Sequence, residues 1–234
     1  MQQIFVIAAL ITITAAGSPW IPEPQEQLDW MPWLWLDRHQ EFVDNSQLHG
    51  SNLSVIFFGD SITEAWNYTG RSVWDARYAP LGAANYGIGA DRVEHVLWRI
   101  INGEVDNVSP KLCVVKIGTN NIWGNTNFDI ARGVAAIVSE LRSRLPTTKI
   151  LLLGVLPRHN VQTMVHVDQV NEHLGILDNG GTVRFLNMRD TYYVGDGVFN
   201  TNLFDPDMIH LSGEGYTAWN QSMDALFTEM WNST

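Results

Sequence analysis

The sequence predicts an α/β fold in which one parallel sheet carries helices on both faces. Short apolar runs alternate with segments whose apolar residues recur at helical spacing. Such alternation is typical of consecutive βαβ units. The length of 234 residues and the hydrophobic content of 45% suffice for one large core, and no repeat or linker divides the chain.

Five apolar runs are the predicted strands. A strand buried on both faces of a parallel sheet reads as a continuous apolar run, as VIFF and LCVV do here. The predicted strands are Ser54–Phe58, Ala83–Tyr86, Leu112–Ile117, Ile150–Gly154 and Val183–Leu186.

Helices are predicted between these strands and at both ends of the domain. Apolar residues at i, i+3, i+4 and i+7 share one helix face. Stripes with this spacing begin at Val93, Val134 and Val167, and Tyr216–Trp231 forms the last helix. A further helix is expected around Leu36–Asn45. Packing is the expected role of the tryptophans before it, with an exposed aromatic surface for lipid or sugar as the alternative; they are Trp20, Trp30, Trp33 and Trp35.

The first 17 residues are predicted to be a signal peptide. Ile4–Gly17 is apolar, uncharged and too short for a comfortable membrane span, and it ends in small residues. No Lys or Arg precedes it, so a buried strand and a membrane anchor stay open as alternatives. Acceptor patterns for N-glycosylation support secretion to the extracellular space; they begin at Asn52, Asn67, Asn107, Asn220 and Asn232.

Composition restricts the partners and the covalent chemistry. The net charge of −11 argues against a nucleic-acid partner. Cys113 is the only cysteine, so the chain forms no internal disulfide, and its apolar surroundings indicate a core residue.

Polar, glycine-rich segments follow the first three predicted strands. They are Gly59–Ser61, Gly87–Asp91 and Gly118–Asn121, and Asp205–His210 follows nearer the end of the chain. Ligands of parallel sheets bind beyond the carboxyl ends of the strands. The sequence therefore predicts a site at that edge.

Ser61, Asp207 and His210 supply the residue types of nucleophilic catalysis. A serine needs a base, and the base needs an orienting carboxylate. The Asp-x-x-His spacing lets Asp207 reach Nδ1 of His210 and leaves Nε2 for Ser61. Asp205 competes for the orienting role with a less compact spacing. A helix cap or a surface turn is the structural alternative for Asp-x-x-His.

A tetrahedral intermediate also needs hydrogen-bond donors for its oxyanion. The Ser61 N–H at the start of a predicted helix, the Asn120 amide and a backbone N–H of the Gly87–Ala90 turn are the candidates. A turn-forming Asn is the alternative reading of Asn120.

Other chemistries have weaker support. The turn at Gly87–Arg92 lacks the third glycine of a dinucleotide-binding loop, which leaves a nucleotide-dependent enzyme as a minor alternative. The histidines other than His210 show no metal-ligand spacing, and the scattered carboxylates single out no glycosidase pair. We expect neither a metal nor a cofactor.

GDSIT, the glycine turn before Asp91, GTNN and DMIH resemble, in order, the four sequence blocks of the SGNH (GDSL) hydrolases. NYGIGADRVEHVLWRIINGE, VVKIGTNN, LLLGVLPR and DMIHLSGEGY are most similar to the catalytic α subunits of intracellular platelet-activating-factor acetylhydrolase Ib. The likeness covers Trp30–Phe227. The predicted organisation is a signal peptide at residues 1–17, which the resembling subunits lack, an N-terminal arm and helix at 18–50, and an SGNH hydrolase domain at 51–234.

The resemblance implies a flavodoxin-like three-layer α/β/α fold with a five-stranded parallel sheet and gives the candidate residues their roles. Ser61 is the nucleophile, His210 the base and Asp207 the orienting acid. The oxyanion donors are Ser61 N–H, Ala90 N–H and the Asn120 amide. The family usually has Gly at Ala90, and a backbone donor there tolerates Ala if φ is negative. The implied acyl pocket is lined by Ile62, Thr119 and Ile209.

These features predict a secreted serine esterase that removes acetyl from a small ester, either an acetylated lipid or an acetylated glycan. A carbohydrate O-acetylesterase and a non-catalytic protein that binds glycans or lipids are the alternatives. The resembling subunits are cytosolic and dimerise. Another substrate, such as an acetylated glycan, therefore stays open for a secreted relative, as does a homodimer.

Overall fold

The computed structural model describes residues 17–32, 34–194 and 198–233. The predicted signal peptide, apart from Gly17, lies outside these residues. The helices are α1 (Trp35–His49), α2 (Ser61–Glu64), α3 (Arg71–Arg77), α4 (Val93–Arg99), α5 (Asn127–Arg144), α6 (Val161–Gly175) and α7 (Gly213–Asn232). No helix among the described residues has the length and apolar character needed to cross a membrane.

The sheet confirms the predicted fold class. Its strands are β1 (Val55–Gly59), β2 (Ala83–Gly87), β3 (Leu112–Lys116), β4 (Lys149–Leu153) and β5 (Val183–Leu186). They pair in the order β2-β1-β3-β4-β5, and every pair is parallel. This is the flavodoxin-like order. A short antiparallel pair, β6 (Tyr193–Val194) and β7 (Val198–Phe199), was not predicted.

Alternating strand residues separate two apolar layers. Ile56 and Phe58 of β1 pack with residues of α1, α4, α5 and α6, whereas Val55 and Phe57 pack on the other face with residues of α3 and α7. Cys113 lies within the first layer, fully buried, and burial raises the pKa of its thiol to about 12. The domain therefore has three layers, with the sheet in the middle.

The N-terminal arm lies against the domain, and α1 extends beyond the predicted Leu36–Asn45. Trp35 is 1% exposed, and the Trp20 ring packs under the guanidinium of Arg132 at 4.0 Å. Trp30, in contrast, is 66% exposed. Trp33 lies outside the described residues. Packing explains Trp20 and Trp35, while Trp30 presents an aromatic face to solvent.

Candidate active site

The register of three neighbouring strands brings the predicted site segments together. Gly59 of β1 pairs with Gly87 of β2 on one side and with Lys116 of β3 on the other. The loops that follow these three residues therefore start side by side at the carboxyl edge of the sheet. The fourth segment, Asp205–His210, reaches the same edge just before α7.

Ser61, His210 and Asp207 form a continuous hydrogen-bonded chain. Ser61 Oγ lies 2.8 Å from His210 Nε2, and His210 Nδ1 lies 2.6 Å from Asp207 Oδ2. Serine and histidine are 149 positions apart in sequence, so only the fold brings them together. An imidazole held in this way can accept the hydroxyl proton at one nitrogen while the carboxylate fixes the other.

A tight turn holds Asp207 beneath the imidazole. Its Oδ1 accepts the backbone N–H groups of Ile209 at 2.8 Å and His210 at 2.9 Å. Burial acts to raise the pKa of Asp207, but these bonds and the His210 side chain lower it below its usual value. The carboxylate is therefore held ionised. Asp205, the weaker candidate, contributes its backbone instead, since its N–H donates to the His210 carbonyl at 2.8 Å.

The residue before the serine supports the start of α2. Asp60 Oδ1 accepts the Ile62 N–H at 3.0 Å. The buried ammonium of Lys116 lies 3.2 Å from Asp60 Oδ2 and donates to Thr119 Oγ1 at 2.8 Å. Burial lowers the pKa of Lys116 to about 8, against the opposing effect of Asp60. An ion pair thus lies directly under the nucleophile position and joins β1 to the loop after β3.

The condition of a negative φ at Ala90 is not met. Its φ is +59°, in the left-handed region where a side chain costs about 1–2 kcal/mol relative to glycine. This explains why the resembling family favours Gly at this position. Asn120 contacts the same loop, because its Nδ2 donates to the Asp91 carbonyl at 2.8 Å. The second N–H of that amide is left for another acceptor.

Arg99 fixes the loop that carries Ala90. Its guanidinium is fully buried and donates to Asp91 Oδ2 at 2.9 Å and to Glu104 Oε2 at 2.6 Å. It also donates to the Tyr86 carbonyl at 3.0 Å, near the end of β2. One side chain therefore joins the loop to the sheet edge.

The N-terminal arm supports the same loop from outside. Trp35 Nε1 donates to Asp91 Oδ1 at 2.8 Å, and Gln25 Nε2 donates to the Gly89 carbonyl at 3.2 Å. Complete burial raises the pKa of Asp91 to about 7, while Arg99 and Trp35 act to lower it. The arm is thus part of the framework around the predicted oxyanion donors.

The three residues of the implied acyl pocket differ in how deeply their side chains are buried. Ile62 is fully buried in the apolar layer on the α7 side of the sheet, and Thr119 accepts the Lys116 hydrogen bond. Ile209 is only partly buried, at the edge of that layer. Of the three, Ile209 is the one whose side chain can be changed without disturbing the core.

A group of potential metal ligands lies beside the loop that carries Ala90, here called the oxyanion loop. One ligand atom from each of Glu23, Glu94 and His95 falls within 4.8 Å of the others. Two of the three ligand groups already have partners, since Glu94 accepts the Asn121 amide at 2.9 Å and His95 Nδ1 accepts the Arg92 N–H at 3.1 Å. Burial also lowers the pKa of His95 to about 4. These hydrogen bonds indicate a structural role for the cluster.

Comparison with known proteins agrees with this geometry. Residues 57–218 match the GDSL-like Lipase/Acylhydrolase family. The alpha2 subunit of platelet-activating factor acetylhydrolase IB from Homo sapiens is 33% identical over 204 residues, which cover 86% of each chain.

The chain belongs to the GDSL-like lipase/acylhydrolase family. It is accordingly a carboxylic ester hydrolase. A GDSL-like lipase from Bacteroides thetaiotaomicron shares the fold with a TM-score of 0.67 and 20% identity, over 82% of this chain and 97% of that one. An acetylxylan esterase from Geobacillus stearothermophilus shares it with a TM-score of 0.58 and 17% identity, over 78% and 95%.

Sequence reasoning missed the charged residues that support the site. Lys116 ends an apolar strand, and Arg99 stands on a buried helix face; a charge in such surroundings requires a partner. That signal was present in the sequence. The partners were not readable from it, because Asp60 lies 56 positions from Lys116 and meets it only through strand pairing.

Arg99→Met is expected to lower the free energy of unfolding by about 3–5 kcal/mol, because it leaves two buried carboxylates without their cation. Urea denaturation measures the loss. Arg71→Met is the matched control, since the Arg71–Asp75 pair is exposed and contributes about 0.5 kcal/mol or less. Equal losses in the two variants would contradict the structural role of Arg99.

Proposed function

We propose that this family member is a secreted serine esterase that hydrolyses acetyl esters through Ser61, His210 and Asp207. The distance of 2.8 Å between Ser61 Oγ and His210 Nε2 carries the proposal. Ser61 Oγ attacks the ester carbonyl as His210 Nε2 takes its proton, and the carbonyl electron pair moves onto oxygen. The resulting imidazolium is stabilised by the ionised Asp207.

Collapse of the tetrahedral intermediate breaks the ester bond. The alkoxide leaves with the proton from His210, and the acetyl group stays on Ser61. Water then loses a proton to His210 and attacks the acetyl carbonyl. The second intermediate collapses to acetic acid, which ionises to acetate, as His210 returns the proton to Ser61 Oγ. In both stages the oxyanion accepts hydrogen bonds from Ser61 N–H, Ala90 N–H and the Asn120 amide. Each donor increases the rate by about 10²–10³-fold through stabilisation of the transition state.

Acetyl is the proposed acyl group because the residues assigned to its pocket are bulky. Ile62 and Thr119 are buried and held in place, so the pocket cannot expand on that side. The human relative is named as a subunit of platelet-activating factor acetylhydrolase, which favours an acetyl ester of that kind as the substrate.

A carbohydrate O-acetylesterase is the second candidate, favoured by exposed tryptophans next to the site. Trp123, three residues after Asn120, is 71% exposed. Trp30, 66% exposed, lies beside the oxyanion loop, since a Cβ at Gly89 would be 4.0 Å from its ring atom Cη2. Exposed aromatic surface beside a site is typical of ligand contact. A non-catalytic binding protein is disfavoured by the intact hydrogen-bonded chain.

Secretion is proposed from the apolar segment Ile4–Gly17 and from the glycosylation patterns. Asn52, Asn107 and Asn232 are exposed and accessible to glycan addition. Asn67 is half-buried. Asn220, in α7, is also half-buried, and its Oδ1 accepts a hydrogen bond from the Tyr78 hydroxyl at 2.8 Å. It is therefore the least suitable of the five sites for glycan addition.

Ser61→Ala should reduce hydrolysis of p-nitrophenyl acetate to below about a hundredth of wild type, because the reaction loses its nucleophile. The exposed Ser139→Ala, outside every glycosylation pattern, is the control and should retain full activity. A fluorophosphonate probe should label Ser61 in wild type only, as read by peptide mass spectrometry. Labelling elsewhere, or an active Ser61→Ala protein, would exclude the mechanism.

Wild type should hydrolyse acetyl esters at least about tenfold better than hexanoyl esters, because the added methylenes do not fit. Ile209→Ala should narrow that difference by making room, as measured from kcat/KM over a chain-length series. Ile176→Ala, at a residue 79% exposed, is the control. An unchanged ratio in Ile209→Ala would remove Ile209 from the acyl pocket.

Expression in a eukaryotic secretory host should deliver the protein to the medium without its first residues and with glycosidase-sensitive mass. Asn52→Gln and Asn107→Gln should each reduce that mass, whereas Asn220→Gln should not. Intact protein that stays inside the cell with residue 1 in place would refute secretion.

A further inference from the structure

Arg158 is a buried cation with unfilled hydrogen-bond capacity. The residue is 4% exposed. Its Nε and Nη1 atoms are shielded from solvent and have no hydrogen-bond partner among the residues that the structure describes. A buried donor left unsatisfied is costly, and native proteins retain one where a water, an ion or a ligand completes it. Nε and Nη1 therefore need a hydrogen-bond acceptor that the described residues do not supply.

The position of Arg158 relates it to the candidate triad. It follows β4, so it leaves the sheet at the carboxyl edge where Ser61 also lies. Burial lowers the pKa of Arg158, and the charges of Asp60 and Asp207 oppose that effect, so both carboxylates are within electrostatic range. Neither carboxylate accepts from it, because Asp60 binds Lys116 and Asp207 binds His210.

Arg158 also lines a cavity of about 370 Å³ beside this edge. Apolar and aromatic side chains form much of its wall; they include Met164, Tyr193 and Phe199. Arg189 borders the same cavity, but it pairs with Asp168 at 3.0 Å and lies over the Tyr193 ring at 4.7 Å. The charge of Arg189 is thus compensated locally, whereas within the described part of the chain no carboxylate is hydrogen-bonded to Arg158.

We propose that Arg158 binds an anionic group on the alcohol part of the substrate, in a subsite that extends from Ser61 into this cavity. The inference rests on the proposed function: with acetyl as the acyl group, only the alcohol part can bear the charge. A guanidinium binds phosphate or carboxylate through charge-assisted hydrogen bonds. The apolar wall takes the organic part of the alcohol, so the preferred ligand is an organic anion.

Matched esters test the subsite. The values of kcat/KM are compared for 4-acetoxyphenyl phosphate, 4-acetoxybenzoate and the neutral methyl 4-acetoxybenzoate. Wild type should prefer at least one anionic ester by about tenfold or more, as expected for hydrogen bonds to a charged group. The two anionic arms distinguish phosphate from carboxylate. Equal rates with all three esters would overturn the proposal.

Two variants separate a binding role from a general loss of charge. Arg158→Gln should remove the anionic preference, and Arg158→Lys should restore part of it. Arg184→Gln removes one positive charge at a residue that does not line the cavity and that pairs with Glu229, and it should leave the preference unchanged. A preference that survives in Arg158→Gln would refute the assignment. If that variant does not fold, competitive inhibition of wild-type turnover of the methyl ester by phenyl phosphate or benzoate decides, and its absence overturns the subsite.

Calorimetry on the Ser61→Ala protein keeps the subsite separate from the catalytic proposal. Phenyl phosphate or benzoate should bind saturably, and the Ser61→Ala/Arg158→Gln protein should bind about tenfold more weakly. That result supports the subsite even if no acetyl ester is hydrolysed. Absence of binding by both anions overturns it even if neutral esters are turned over.

Discussion

The pairing of β1 with β2 and β3 is the constraint on which the rest of the site depends. In this register Gly59, Gly87 and Lys116 stand side by side. The loops that begin there carry Ser61, Ala90 and Asn120. Glycine is required at the end of β2 because a Cβ at Gly87 would collide with the Glu64 backbone. Close approach of β2 and α2 is what brings two of the predicted oxyanion donors into one region.

Buried charges make this edge rigid. Arg99 joins Asp91 to the end of β2, and Lys116 joins Asp60 to the loop after β3. In the described part of the chain, neither pair is hydrogen-bonded to Ser61 or His210. Their role is to hold the backbone that presents the donors, and preorganised donors are what electrostatic stabilisation of a transition state requires. The left-handed φ of Ala90 persists because Asp91, next to it, is fixed by Arg99 and Trp35.

Much of this arrangement was readable from the sequence. Continuous apolar runs identified every strand of the sheet to within one residue at each end. Ser61, Asp207 and His210 could be selected because their types fit one reaction and because Asp207 and His210 are three residues apart. The φ of Ala90 could not be read, since it is imposed by packing against other segments. Arg158 was also missed, because its lack of partners is a property of the assembled edge and leaves no mark in the local sequence.

The crystal structure of the protein after reaction with a small phosphonate ester tests the central claim most directly, because the adduct imitates the tetrahedral intermediate. The account predicts phosphorus bonded to Ser61 Oγ, with one phosphonyl oxygen within hydrogen-bonding distance of Ser61 N, Ala90 N and Asn120 Nδ2. A phosphonyl oxygen turned to solvent, or an adduct on any other residue, would contradict it.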